Sequence, residues 1–189
     1  MKKLNKNFNL IVGGYGGQGI LTIAEIIAQA ALKHKYDVKQ SELHGLAQRG
    51  GALDCHVRFG SKVFSPVVMK GDADLIIALE ALEALRASYW ANKETVFIVN
   101  AKAFRSSLSL QDIVKKLKKI SKKVYVVDAD AIVRKETGNV TGTNIFMLGY
   151  ALKKKALPFK KEKLWEAIKE RIRPQFLEEN KKVFGKALK

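Results

Sequence analysis

The chain reads as an α/β protein: a three-layer α/β/α sandwich, Rossmann-like, with a mostly parallel sheet and an inserted antiparallel hairpin. Three observations lead there. An apolar stretch from Leu10 passes through Gly14, Gly16, Gly17 and Gly19 into a helical pattern, which is a strand, a tight turn and a helix start. Apolar runs then alternate with amphipathic segments along most of the chain, the pattern of helices packed on a mostly parallel sheet. Finally, no repeat, low-complexity linker or composition break divides the 189 residues, so residues 1–189 form one domain with a single core.

The elements follow in order. Asn9 to Gly13 is strand one, and Gly19 to about Lys33 a helix with Ile20, Ile23, Ile27 and Ala31 at helical intervals. Tyr36 to Ser41 alternates as strand two; strand, helix and strand together have the length of a βαβ unit, which predicts parallel strands. Glu42 to Gly51 is too glycine-rich for a helix and too polar for a buried strand, and reads as a structured loop. Ala52 to Phe59 and Lys62 to Val68 flank Gly60-Ser61, which predicts a hairpin. Ala73 to Leu79 suits a central strand, and Glu80 to Ser88 a helix. Thr95 to Asn100 and Lys123 to Asp128 are further strands around a helix from Leu110 to Ile120, with Ser109 as its cap. Thr143 is placed as the cap of a helix through Leu152, closed off by Pro158; a last helix and a helical tail beyond Pro174 complete the chain.

Composition narrows the function. Thirty-five Lys and Arg against 18 Asp and Glu give a formal charge of +17, which suits an anionic partner. The lysines punctuate amphipathic helices without interleaved aromatic residues, so nucleic acid has little support. No apolar run is long enough for a membrane span, and a cytoplasmic setting is expected. Cys55, the single cysteine, lies in an alternating strand pattern; alone it can form neither an internal disulfide nor a cluster ligand set. His34, His44 and His56 lack metal-site spacing.

The glycine turn has two readings, an anion held at the helix start or close packing of helix on strand. The spacing Gly14-x-Gly16-x-x-Gly19 does not choose between them. A dinucleotide site would need an acidic residue after strand two; Glu42 is the candidate, but the His44 loop follows it directly, which weakens NAD. No Gly-Lys-Ser/Thr follows the glycines, so no P-loop is present. His44, Gln48 and Arg49 gather an imidazole, an amide and a guanidinium near the carboxyl end of strand two, where open α/β sheets place ligands. Arg49 either clamps an anion or pairs with Glu42 or Asp54, and His44 has no visible catalytic partner. No catalytic residue is assigned. The expected binding set is Gly14, Gly16, Gly17, Gln18, Gly19, His44, Gln48 and Arg49.

At these residues the chain resembles the gamma-domain family of 2-oxoacid:ferredoxin oxidoreductases, and within it the beta subunits that act on indolepyruvate. The resemblance rests on Gly14-x-Gly-Gly-Gln-Gly-Ile20, Ser41-Glu-Leu-His-Gly-Leu-Ala-Gln-Arg-Gly-Gly51, Val57-Arg-x-Gly60, Ser65-Pro66, Gly71-x-Ala-Asp74 and Glu80-x-Leu-Glu-Ala-Leu-Arg86. Val140-Thr-Gly-Thr143 departs from the family pattern, being a more polar lead into its helix. The resemblance implies the small subunit of an enzyme that oxidatively decarboxylates arylpyruvates with coenzyme A, yielding arylacetyl-CoA, carbon dioxide and reduced ferredoxin. It further implies that thiamine diphosphate and [4Fe-4S] clusters belong to a large alpha subunit, with ferredoxin as acceptor. A gamma subunit acting on pyruvate or another 2-oxoacid, and a free-standing dinucleotide-binding oxidoreductase, are the alternatives.

Overall fold

Residues with opposite-facing apolar side chains set the layers. In β1 (Phe8–Tyr15), Leu10 and Val12 enter one core and Ile11 the other, all fully buried. β4 (Leu75–Ala78) and β5 (Val96–Asn100) repeat the division, with Leu75, Ile77 and Ile98 on the first side and Ile76, Phe97 and Val99 on the second. Strands buried on both faces need helices on both, and each such side chain contributes about 1.5–3 kcal/mol. The computed structural model describes residues 6–44, 51–102 and 107–189.

The first core is covered by α1 (Ile20–Lys33), α5 (Thr143–Lys153), α6 (Lys161–Arg171) and α7 (Leu177–Ala187), with Ala129 and Val133 of α4 (Ala129–Thr137) at its margin. The second lies under α2 (Ala81–Ala87) and α3 (Leu110–Ile120), which supply Ala84, Ile113 and Leu117. The six strands of the described residues stand in the order β2-β3-β1-β4-β5-β6, where β2 is Asp37–His44, β3 is Ala52–Gly60 and β6 is Val124–Val127. β1, β4, β5 and β6 pair in parallel, and β3 is antiparallel to both its neighbours. The fold class is therefore the expected one.

Several local expectations need correction. β2 runs in the same direction as β1 but is not its neighbour, because β3 lies between them. The antiparallel hairpin is β2–β3, not a pairing across Gly60-Ser61. Residues 62–68 form no strand: Pro66 has no N–H to give a ladder, and the Arg58 guanidinium takes the carbonyls of Ser65 and Val67. Glu42, Leu43 and His44, read as loop, extend β2. Thr143 is the first helical residue of α5 rather than its cap, and its hydroxyl donates to Asp130 instead. The end of α5 is set by Lys155 in the left-handed region, ahead of Pro158. α4 was not foreseen, although Asp128 caps its start by accepting from the Ala131 N–H and left-handed Gly138 stops it. Ser109 caps α3 as expected, accepting from the Asp112 N–H at 3.1 Å.

Candidate functional site

At the carboxyl edge of the parallel strands the chain turns from β1 into α1, and the turn is locked by one side chain. Gln18 Oε1 accepts the Tyr15 N–H at 2.8 Å while the Gln18 N–H donates to the Tyr15 carbonyl. Gly14 makes room for this, since a Cβ there would lie 2.6 Å from Gln18 Oε1. Gly19, at φ 79°, would place a Cβ 2.4 Å from Asn144 Nδ2, so it admits the start of α5. These two glycines serve packing. Gly17, at φ 93°, has nothing among the described residues within 4 Å of its Cβ position.

Beside Gly17 a cleft of about 550 Å³ runs between the starts of α1 and α5, the ends of β4 and β5, and the chain after α6. Asn100, fully buried at the end of β5, organises its floor. Its amide donates to the Leu79 carbonyl and to Asp130 Oδ1, and its Oδ1 accepts the Ala129 N–H, tying together β4, β5 and α4. Asp130 also accepts from Thr143 Oγ1 at 3.0 Å and lies 3.4 Å from Lys102 Nζ. Arg171 reaches back to Glu25 of α1. Arg173 lines the cleft, is exposed, and makes no ion pair among the described residues. α1 starts without a side-chain cap, so its first amides leave the positive end of a helix dipole at the same place. The cleft therefore suits an anion.

Behind β1, toward α2, lies a group of opposite sign. Asp54 of β3 pairs in register with Gly13, and a Cβ at 13 would meet Asp54 Oδ1 at 3.0 Å and Glu83 Cβ at 3.5 Å. Burial, with the Glu83 charge beside it, pushes Asp54 up to about 6, and burial also raises Glu83 despite the Arg86 Nη1 donor at 2.7 Å. Asp54 Oδ1 and Glu83 Oε2 are buried without a hydrogen-bond partner among the described residues.

The expected binding residues divide. Gly17, Gln18 and Gly19 line the cleft. Gly14 lies behind Gln18, and Gly16 faces the other way, its N–H donating to the Gly51 carbonyl at 3.3 Å. His44 ends β2 opposite Leu53, which is itself opposite Gly14, so its backbone shares the edge of the glycine turn about 10 Å away across two strand spacings. Gln48 and Arg49 lie outside the described residues. Cys55 is buried in β3, its thiol pushed up to about 12 by burial, as befits a strand residue. Reasoning from sequence missed Asn100, Lys102, Asp130, Asn144 and Arg173. A usable signal existed for two: Asn100 ends a strand and Lys102 lies just past it, where α/β sheets place ligands. Three residues of the unusual segment Val140-Thr-Gly-Thr143 also line this cleft.

Residues 9–189 match the family model for pyruvate ferredoxin/flavodoxin oxidoreductase. The chain belongs to that family. Its relatives include the indolepyruvate oxidoreductase subunit IorB of Archaeoglobus fulgidus, 38% identical over 92% of this chain and 90% of the relative. The pyruvate/ketoisovalerate oxidoreductases common subunit gamma of Pyrococcus furiosus is 32% identical, with 88% of each chain covered. The fold is also that of the keto/oxoacid ferredoxin oxidoreductase gamma subunit from Geobacter sulfurreducens, with a TM-score of 0.73 at 22% identity, covering 96% of both chains. The chain aligns with 31% of a 2-oxoglutarate:ferredoxin oxidoreductase chain from Magnetococcus marinus, solved with 2-oxoglutarate, coenzyme A and succinyl-CoA bound; the TM-score is 0.73 at 18% identity over 97% of this chain. As a member of the family, the chain is a small subunit of a 2-oxoacid ferredoxin oxidoreductase, an enzyme of several subunits. Among the described residues, no helix is long and apolar enough to cross a membrane.

Proposed function

We propose that this small subunit serves the oxidative decarboxylation of arylpyruvates, indolepyruvate foremost, with coenzyme A as acyl acceptor and ferredoxin as electron acceptor. Four relatives named indolepyruvate oxidoreductase subunit IorB, 31% to 38% identical, support the substrate class; the four named common subunit gamma reach 28% to 32%. In this reading a cytoplasmic large subunit holds thiamine diphosphate and the iron–sulfur clusters. Thiamine diphosphate supplies the carbanion chemistry of decarboxylation. This chain supplies binding. Its one cysteine is buried in a strand and offers no cluster ligand set.

The observation that carries the binding role is the cationic cleft at the glycine turn. Arg173, Lys102 and the first amides of α1 converge on it, and the floor is held by Asn100 and Asp130. A phosphate of coenzyme A, brought there, exchanges water for a guanidinium and helix-end amides. Gly17 lets the ligand approach the chain's backbone without a side chain in the way. Gly14, Gly16, Gln18 and Gly19 fix the turn, and the backbone of His44 ends β2 on the same edge, where Gly51 is tied to Gly16; Gln48 and Arg49 are the further residues assigned to binding in this reading. That edge faces the large subunit's reaction centre.

The test is reconstitution with the large subunit. The expected result is viologen reduction that requires both chains, coenzyme A and an arylpyruvate, with indolepyruvate turned over at least about tenfold more efficiently than pyruvate, a discrimination within reach of one apolar pocket. Equal or better use of pyruvate would assign the chain to the other branch of the family.

A further inference from the structure

Opposite the cleft, at the amino-terminal edge of the parallel strands and roughly 25 Å away along β1, the chain crosses β3 as an irregular segment that is held unusually firmly. Five side chains fix residues 62–68, and the Asp72 N–H donates to the Met69 carbonyl just beyond. Asn7 donates to the Lys62 carbonyl, and Asp37 accepts the Val63 N–H at 2.8 Å. Arg58 donates to the carbonyls of Ser65 and Val67, and is itself aligned by Asn9. Ser65 Oγ accepts the Val67 N–H. Buried His56 accepts the Val68 N–H through Nδ1 at 3.0 Å, with its ring against the edge of Trp90. Val63 and Val68 are sunk beneath, at 3% and 1% exposure.

What this fixed segment displays is apolar. Phe64 is 83% exposed and Met69 70%, with Val67 at 41%; Tyr89, 59% exposed, stands next to Lys70. Lys62 Nζ lies 4.8 Å from the Phe64 ring centre and Lys70 Nζ 5.3 Å from that of Tyr89. Lysines without an ion pair among the described residues rest on aromatic faces there while large side chains meet water, an arrangement costly for a surface with no other use. Arg58, Gly60, Ser65, Pro66, Gly71 and Asp74, all within motifs of the family resemblance, build this edge and not the cleft.

We infer that Phe64, Met69 and Tyr89, with Lys62 and Lys70, form a preorganised docking surface for the large subunit, received by an apolar pocket rimmed with carboxylates. The inference rests on the proposed function. Charge decides the occupant: a second copy of this chain would set lysine against lysine over the same patch, whereas carboxylates would take both ammonium groups and leave the rings to be buried. Preorganisation lowers the entropy lost on docking, and exposed Phe, Met and Tyr are the side chains interfaces use as anchors.

The experiment compares the wild-type chain with Phe64→Asp/Met69→Asp, and separately with Tyr89→Asp, in binding to the large subunit by sedimentation or interferometry. These side chains are exposed, so circular dichroism and melting temperature of the isolated chain stay at wild-type values. The double variant weakens the Kd by at least about tenfold, the scale of losing an interface anchor, and Tyr89→Asp weakens it in the same direction. Wild-type affinity in both variants overturns the inference while leaving subunit assembly intact. Loss of self-association of the isolated chain with unchanged heteromer affinity also overturns it, assigning the patch to contacts between copies. A wild-type chain that fails to bind the large subunit at all refutes the functional reading itself, and the inference with it.

Discussion

Gly19 and Asn144 are built against each other: a Cβ on residue 19 would lie 2.4 Å from Asn144 Nδ2, and the backbone there has φ 79°. Two costs therefore meet in Gly19→Ala, left-handed backbone strain and a clash with the start of α5. The variant should lose roughly 2–4 kcal/mol of stability by denaturant titration. Gly17→Ala carries the strain alone, with open space around it, and should lose about 1–2 kcal/mol. Equal losses in the two would show that the α1–α5 contact contributes nothing.

Asn100→Ala should be as damaging to the fold around the cleft as Gly19→Ala. It strips hydrogen-bond partners from the Leu79 carbonyl and the Ala129 N–H, and frees Asp130 from one of its two neutral donors. A loss of about 2–4 kcal/mol is expected from buried groups left unpaired. The same denaturant titration checks it.

Two buried groups make opposite contributions to the pH dependence of stability. Asp54 is raised from 3.8 to about 6, so between those values the folded chain binds more protons than the unfolded one and stability falls as pH rises. His56 is lowered from 6.5 to about 4 by burial, with Arg58 adding to it. There the folded chain binds fewer protons, and stability rises with pH. The wild-type profile between pH 4 and pH 6 is thus flattened. Asp54→Asn should expose the rising slope, and His56→Asn, which keeps an acceptor for the Val68 N–H, the falling one. Parallel profiles for both variants and wild type would contradict this assignment.

The strands β1, β4, β5 and β6 were legible because runs of apolar residues between turn signals have few other interpretations. Pairing was less so. Nothing local tells Ala52–Gly60 to insert between β1 and β2; that choice is made by long-range registers such as His56 with Ile11 and with Ser41. The turn from Gly14 to Gly19 was legible as a turn, but its purpose was not, since the neighbours that make two glycines necessary are Gln18, three residues beyond Tyr15, and Asn144, far along the chain. Arg173 and Lys102 were hidden for the same reason. A lysine and an arginine among 35 basic residues acquire meaning only when α6 ends and β5 ends at one cleft.

Kinetics of the reconstituted enzyme with Arg173→Ala decide whether the cleft at the glycine turn binds coenzyme A. Arg173 is exposed and unpaired among the described residues, so its removal should leave folding and assembly unchanged. If the cleft holds an anionic group of coenzyme A, KM for coenzyme A rises about tenfold or more, the scale of one charge-assisted contact, while kcat and KM for indolepyruvate change little. An unchanged KM for coenzyme A in an assembled, active enzyme would show that the cleft does not bind coenzyme A.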